Sequence, residues 1–180
     1  GVKSFSVSFS QTGSMIQDIV TANVLRKMAK YYAEQIGCGD ARINLVYHQW
    51  MGAFPSNKDY SESLINTKTV IAMMVKADKI ITKTRDEAFG IPTRESNAKT
   101  VANTQYTLQM LHGIPTITDE MEEEILTEEV KSIMEAVFND KADTLWRKIF
   151  NSIKAGIIDV PYSPHIINHN EVVTVRDKNK

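Results

Sequence analysis

The chain has 180 residues, with 21 Lys and Arg against 22 Asp and Glu, a net charge of -1 and 42% hydrophobic residues. This is the composition of a globular chain long enough to bury a sizeable core, and it reads as a single domain over residues 1–180. The near-neutral balance offers neither a strongly basic surface for nucleic acid nor a polybasic membrane anchor. One cysteine, Cys38, excludes an internal disulfide and points to a reducing cytoplasm.

The longest apolar run, Val70 to Val75, falls far short of the ~20 residues of a membrane span. The N-terminal GVKSFSVSFS alternates instead of building a signal core, and its strand pattern follows Gly1 at once, which reads as the start of a fragment. Val2, Phe5, Val7 and Phe9 mark that first strand. Gln11 to Ser14 form a turn, and Ser14 with Gln17 has capping-box spacing for a long helix. Ile16, Val20, Val24 and Met28 lie about one turn apart on its buried face, and Gly37 and Gly39 end it. Arg42 to Trp50 is a second strand. Phe54-Pro55-Ser56 then leads into a second helix ending near Ala77, and Lys79 to Thr84 is a short third strand.

From there the pattern is mostly helical. Pro92 and Thr93 open a helix whose buried side is marked by Val101, Leu108 and Leu111, and Gly113 and Pro115 close it. Thr118 is placed to cap the next helix, with Asp119 and Glu120 in its first turn. That helix carries a stripe of Leu126, Val130, Ile133, Met134 and Val137, and the run Glu122 to Glu124 reads as its solvated face. A last helix holds Leu145, Trp146, Ile149, Phe150 and Ile153 and stops at Gly156; short strands are expected over Ile157 to Tyr162 and Val172 to Val175.

Alternating strands and helices indicate an α/β class with a parallel sheet. No Gly-rich dinucleotide fingerprint or phosphate loop follows any strand, which removes the main support for a doubly wound nucleotide-binding fold. Three good strands are too few for a complete β/α barrel, which needs eight and ~250 residues. The pattern therefore predicts a partial TIM-type (β/α) barrel, its second half, with a helix-rich C-terminal region.

Barrel chemistry sits at the C-terminal ends of the strands, a rule that selects three clusters. Gln11, Thr12, Gly13 and Ser14 form either a plain turn and cap or an anion-accepting helix start. His48 to Pro55 gathers an imidazole, an amide, two aromatics, a thioether and a glycine; it is either a packed loop or a surface for a broad flat ligand. In Lys83 to Pro92, Lys83 ends a strand and Glu87 is four residues on, so the two either pair or hydrogen-bond ligand hydroxyls. Elsewhere, His165 and His169 read as a chance pair in a loop rather than metal ligands, Cys38 lacks an activating base, and no catalytic triad can be assembled. No catalytic residue and no metal ligand is assigned.

The runs Gly13 to Ile19, Tyr47 to Pro55, Lys79 to Thr84 and Glu87 to Ala98, with Asp159-Val160-Pro161-Tyr162 and Val175-Arg176-Asp177, closely resemble the large (epsilon) subunit family of glutamate mutase, or methylaspartate mutase. The resemblance covers essentially the whole chain in the same order. It implies a β/α barrel and the radical interconversion of L-glutamate and threo-3-methylaspartate with adenosylcobalamin. A small flavodoxin-like subunit carries the cobalamin-binding Asp-x-His-x-x-Gly motif, absent from this chain, so a hetero-oligomer is implied. The cofactor lies between the subunits over the barrel mouth. By resemblance, the cofactor-contacting positions fall on Phe54, Lys83, Glu87 and Ile91: Lys83 and Glu87 would hydrogen-bond ribose hydroxyls or corrin amides, and Phe54 and Ile91 would offer apolar contact. The family's substrate-binding residues lie in the first half of the barrel, so none is placed here, and the isolated chain is expected to be inactive. Two other readings stand beside this one: a non-catalytic half-barrel interaction module pairing through an open sheet edge, or another barrel enzyme taking a phosphate or sugar at the Lys83/Glu87 end.

Overall fold

Serine alternates with Phe5, Val7 and Phe9 along Ser4–Ser10, and this segment is strand β1, its apolar side chains half-buried and its serines exposed. The computed structural model describes residues 2–161 and 163–172. After β1 come α1 (Met15–Gln35), β2 (Arg42–His48), α2 (Lys58–Met74), β3 (Lys79–Ile81), a short 3-10 turn (Glu87–Phe89), α3 (Arg94–Met110), α4 (Glu120–Phe138) and α5 (Leu145–Lys154). Among the described residues the fold is therefore α/β, with a parallel three-stranded sheet and five helices.

The strands lie in the order β1-β2-β3, with Ser4 opposite Arg42 and Val46 opposite Lys79. One helix joins each neighbouring pair, and among the described residues no strand is inserted out of order. Ile19 and Ala22 of α1, Leu45 and Tyr47 of β2, and Ile71, Ala72 and Met74 of α2 form one buried cluster, with Val7 and Phe9 packed on it. Both helices thus cover the face that carries the apolar side chains. Phe9 meets Tyr47 edge to face, with ring centroids 5.5 Å apart.

Caps set the helix ends. Ser14 Oγ accepts the Gln17 N–H at 3.4 Å to start α1. Gly37, at φ +75°, ends it and lets the Cys38 N–H reach Ala33 O at 2.7 Å. Val20, Val24 and Met28 are buried as their spacing predicts, and Ile16 is half-buried. Asn57 opens α2 by accepting the Asp59 and Tyr60 N–H groups. That helix stops at Met74, short of Ala77, because Lys76 turns left-handed and Arg26 donates to the carbonyls of Val75 and Lys76 at 3.2 and 2.8 Å.

Two strands end sooner than their apolar runs predict, β2 at His48 rather than Trp50 and β3 at Ile81 rather than Thr84. The Gln49 carboxamide oxygen accepts both the Thr82 hydroxyl and the Lys83 N–H at 3.0 Å, so the Lys83 N–H serves a side chain instead of a ladder. Thr93 caps α3 by accepting the Ser96 N–H at 3.1 Å. The buried side of α3 is polar: Ser96, Thr100 and Thr104 share one face against α2, Leu108 and Leu111 are half-buried, and Val101, expected there, is 57% exposed. Small hydroxyl side chains let the two helices approach closely. Asp119, not Thr118, caps α4 by accepting the Glu122 N–H at 3.0 Å. Glu123 pairs with Lys27 at 2.9 Å and Glu122 is half-buried, so of the run Glu122 to Glu124 only Glu124 is exposed.

The chain divides into two compact units between Glu123 and Glu124. In the second, Lys148 donates to Phe138 O and Asp140 O at 2.6 and 2.7 Å, closing the end of α4, and Val137 is buried. On α5, Trp146 and Phe150 are exposed. The strand expected over Ile157 to Tyr162 is absent from residues 157–161, and Val172 is not in a strand; Tyr162 and residues 173–175 lie outside the described residues. The Asp159 carboxylate accepts the N–H groups of Asn170, Glu171 and Val172 at 2.8, 2.6 and 2.9 Å. The Asn168 side chain occupies both Val160 N–H and Val160 C=O. These backbone groups are thereby taken and not available to a ladder.

Candidate functional site

Three loops follow the C-terminal ends of the three strands: residues 11–14, 49–57 and 82–93. In the first, Asp18 is fully buried in the opening turn of α1. It accepts the Thr12 N–H at 2.7 Å, the Thr12 hydroxyl at 2.9 Å and the Gln11 amide at 3.2 Å. Buried Lys68 of α2 stands 4.0 Å from the same carboxylate. Burial, and then the Asp18 charge, push the Tyr47 phenol well above its ordinary range, so it stays protonated.

Trp50 clamps the second loop to the first. Its indole N–H donates to Ala53 O at 3.0 Å. A Cβ built on Gly13 would lie 3.5 Å from its ring, and one on Gly52 only 2.5 Å, so the ring rests against both glycines. Phe54 is half-buried in this loop and Met51 is exposed.

The third loop is joined to the second through Gln49 and to the start of α2 through the Lys58–Asp86 pair at 2.8 Å. Lys83 and Glu87 stand 3.6 Å apart, each about one quarter exposed, and Glu87 also accepts the Thr84 N–H at 3.2 Å. The hydrogen bond from Lys58 holds the Asp86 carboxyl below the usual range. Arg85 and Lys99 flank Glu62 at 3.5 and 3.6 Å. Beyond this charged base the loop tip is apolar: Phe89 is 61% exposed, with the Lys58 ammonium 5.3 Å from its ring centre, and Ile91 is 99% exposed.

The structure thus pairs Lys83 with Glu87, sets Ile91 at the tip of the same loop, and leaves Phe54 in the neighbouring loop. Two polar residues escaped the sequence reading, Asp18 and Lys68. Their signal was a charged residue inside an otherwise apolar helical face, at Ala22 and Leu25 spacing for Asp18 and between Ile65 and Ile71 for Lys68. His165 and His169 do not converge on a ligand: His165 accepts the Ile167 N–H, and His169 bonds to Lys154 O. Among the described residues no group of His, Cys, Asp or Glu is arranged to hold a metal ion, and no helix is long and apolar enough to cross a membrane.

A sequence profile for the family described as Methylaspartate mutase E chain (MutE) matches residues 1–180. The chain is similar to the glutamate mutase epsilon subunit of Treponema denticola (36% identity over 98% of the chain). It is similar also to those of Escherichia coli O157:H7 and Desulfitobacterium hafniense, each at 33% identity over 98% of the chain. In each case it spans 37% of the relative's length. With the profile matching throughout and the loops at the strand ends carrying the motifs that first marked the resemblance, the chain belongs to the methylaspartate mutase E chain family.

Proposed function

We propose that this chain is part of the epsilon-type subunit of an adenosylcobalamin-dependent glutamate mutase, contributing the second half of a (β/α) barrel and one side of the cofactor site at its mouth. Sequential parallel strands with both crossover helices on one face support the barrel reading. The polar serine face of β1 lies on the other side, where a closed barrel would have its interior. The observation that carries the functional reading is the Lys83–Glu87 pair, held at the C-terminal end of β3 under an exposed apolar loop tip.

Adenosylcobalamin presents ribose hydroxyls, amide side chains and broad apolar faces, and this donor set fits it. The Lys83 ammonium has hydrogens to donate to a hydroxyl or amide oxygen. The Glu87 carboxylate has lone pairs to accept from a ribose hydroxyl or amide N–H. Phe54 and Ile91 exclude water from the flat faces. When bound, the cofactor supplies the radical chemistry by which L-glutamate becomes threo-3-methylaspartate. The substrate carboxylates are held by residues outside this chain, a small cobalamin-binding subunit covers the mouth in a hetero-oligomer, and the assembly works in the cytoplasm.

Charge-assisted hydrogen bonds of this kind contribute about 1.5–3 kcal/mol each. In a full-length epsilon subunit carrying this segment, reconstituted with its small subunit, Lys83→Ala or Glu87→Gln is expected to weaken adenosylcobalamin binding about tenfold or more, at ~1.4 kcal/mol per decade. Visible-absorbance titration with thermal unfolding in parallel decides it. Unchanged cofactor affinity with a lowered melting temperature would mean that the two residues form only a structural ion pair, and the reading would fall.

A further inference from the structure

We infer that Gln49 is a positioning residue for Lys83, setting where its ammonium stands at the loop mouth through one buried carboxamide. Gln49 is 1% exposed and makes four hydrogen bonds, two from each end of its amide. Its NH2 donates to Ile65 O at 3.2 Å and to Thr69 Oγ1 at 3.0 Å, both in α2. Its oxygen accepts the Thr82 hydroxyl and the Lys83 N–H, both at 3.0 Å. The orientation of the amide follows from chemistry alone, since a backbone carbonyl can only accept and a backbone N–H can only donate. All four sites are used, so the group has no alternative arrangement of equal energy.

The consequence is geometric. β3 ends at Ile81, and Lys83 lies beyond the sheet, where no ladder holds its backbone. The Gln49 oxygen takes over that task, and it fastens the Lys83 main chain to α2 and, through the Gln49 N–H on Ile81 O at 3.2 Å, to the ends of β2 and β3. The Lys83 side chain leaves from this anchored backbone and reaches Glu87 at 3.6 Å. A shift of the anchor moves the ammonium with it, and displacements near 1 Å are enough to cost a site about a hundredfold. Gln49 touches neither Glu87 nor the exposed tip in any of these bonds, so it acts through Lys83.

This assignment rests on the reading of Lys83 as a cofactor ligand, and its test separates the two. Amide hydrogen exchange at Lys83, measured on the cofactor-free subunit, reads the anchor directly. Gln49→Met keeps the volume and removes all four bonds; the Lys83 amide should exchange at least about tenfold faster. Gln49→Glu keeps an acceptor toward Lys83 and, when protonated, a donor toward Ile65 O; protection should stay within about threefold of the parent. In the reconstituted holoenzyme, Gln49→Met should weaken adenosylcobalamin binding about tenfold and Gln49→Glu should restore most of it. In a Lys83→Ala background, Gln49→Met should change affinity by less than about twofold, because a residue acting through another has nothing left to act on.

Additive losses in the double variant would overturn the assignment, as would unchanged Lys83 exchange in Gln49→Met. Normal cofactor affinity in Gln49→Met beside a loss in Lys83→Ala would overturn the positioning role and leave the cofactor reading intact. Normal affinity in Lys83→Ala, with the Lys83 amide still released by Gln49→Met, would overturn the cofactor reading, and with it the functional role of Gln49. If Gln49→Met fails to fold, Gln49→Asn, which keeps a buried carboxamide too short to span α2 and Lys83, carries the same arms.

Discussion

At the scale of single residues, Asp18 and Lys68 show how unequal the two members of a buried ion pair can be. Asp18 accepts three hydrogen bonds from Gln11 and Thr12 besides facing Lys68 at 4.0 Å. Lys68 faces a carboxylate that is already well satisfied. Replacing Asp18 by Asn strands a buried ammonium and loosens the first loop, so a loss of about 3–5 kcal/mol is expected. Lys68→Met leaves Asp18 with its three donors and should cost clearly less. The double variant should be more stable than Asp18→Asn alone, because the stranded charge is gone. Denaturant unfolding of the three variants checks the order; a Lys68→Met loss equal to that of Asp18→Asn would contradict it. Each shows in the sequence as a charge on an apolar helical face, but their meeting does not, since a sequence pattern marks which positions face a core and not which polar groups meet there. Lys83 and Glu87 were legible because their four-residue spacing at a strand end is local, and the structure pairs them.

At the scale of elements, β1 and α1 appear where alternation, one-turn spacing and the Ser14 cap predict, and β2 and α2 appear in the expected order with earlier ends. The readings that failed did so where side chains took over backbone hydrogen bonds. Gln49 cut β3 short, Asp119 displaced Thr118 as a cap, and Asp159 with Asn168 removed the strand at 157–161. Helix α3 failed differently: its buried face is Ser96, Thr100 and Thr104, and hydrophobic spacing cannot announce a hydroxyl face. The Asp159 turn predicts a pH dependence. Three backbone N–H bonds, led by that of Val172, hold its carboxyl below the usual range. A depressed native value stabilises the loop fully above the unfolded value, ~3.9. That contribution fades as pH falls through the native value. The protection of the Asn170, Glu171 and Val172 amides, relative to their intrinsic exchange at each pH, should therefore fall on acidification below about pH 4 in the parent. In Asp159→Asn those amides should exchange faster at neutral pH and lose most of this pH dependence. Identical profiles in the two proteins would show that the carboxylate does not hold the loop.

At the scale of the whole molecule, the chain covers 37% of the length of its glutamate mutase relatives. The mouth described here offers an ammonium and a carboxylate already paired to each other, not two free cations to grip a dicarboxylate. The chain combined with a small cobalamin-binding subunit and adenosylcobalamin is therefore expected to form no methylaspartate from glutamate; steady production, followed by ultraviolet absorbance, would show that the substrate site lies on this chain after all. The order of the sheet also bears on how this part of a protein comes into being. Among the described residues each strand pairs with its neighbour in sequence, across one helix, so each pairing can close as soon as the next helix and strand have left the ribosome. Each pairing still joins distant residues, Ser4 with Arg42 and Val46 with Lys79, so it closes more slowly than a local hairpin would. Gln49 can lock β2, α2 and the end of β3 together once Lys83 has emerged. The first unit can thus be built vectorially, one β/α step at a time, and the nascent chain never has to wait for a distant segment before its newest strand finds a partner.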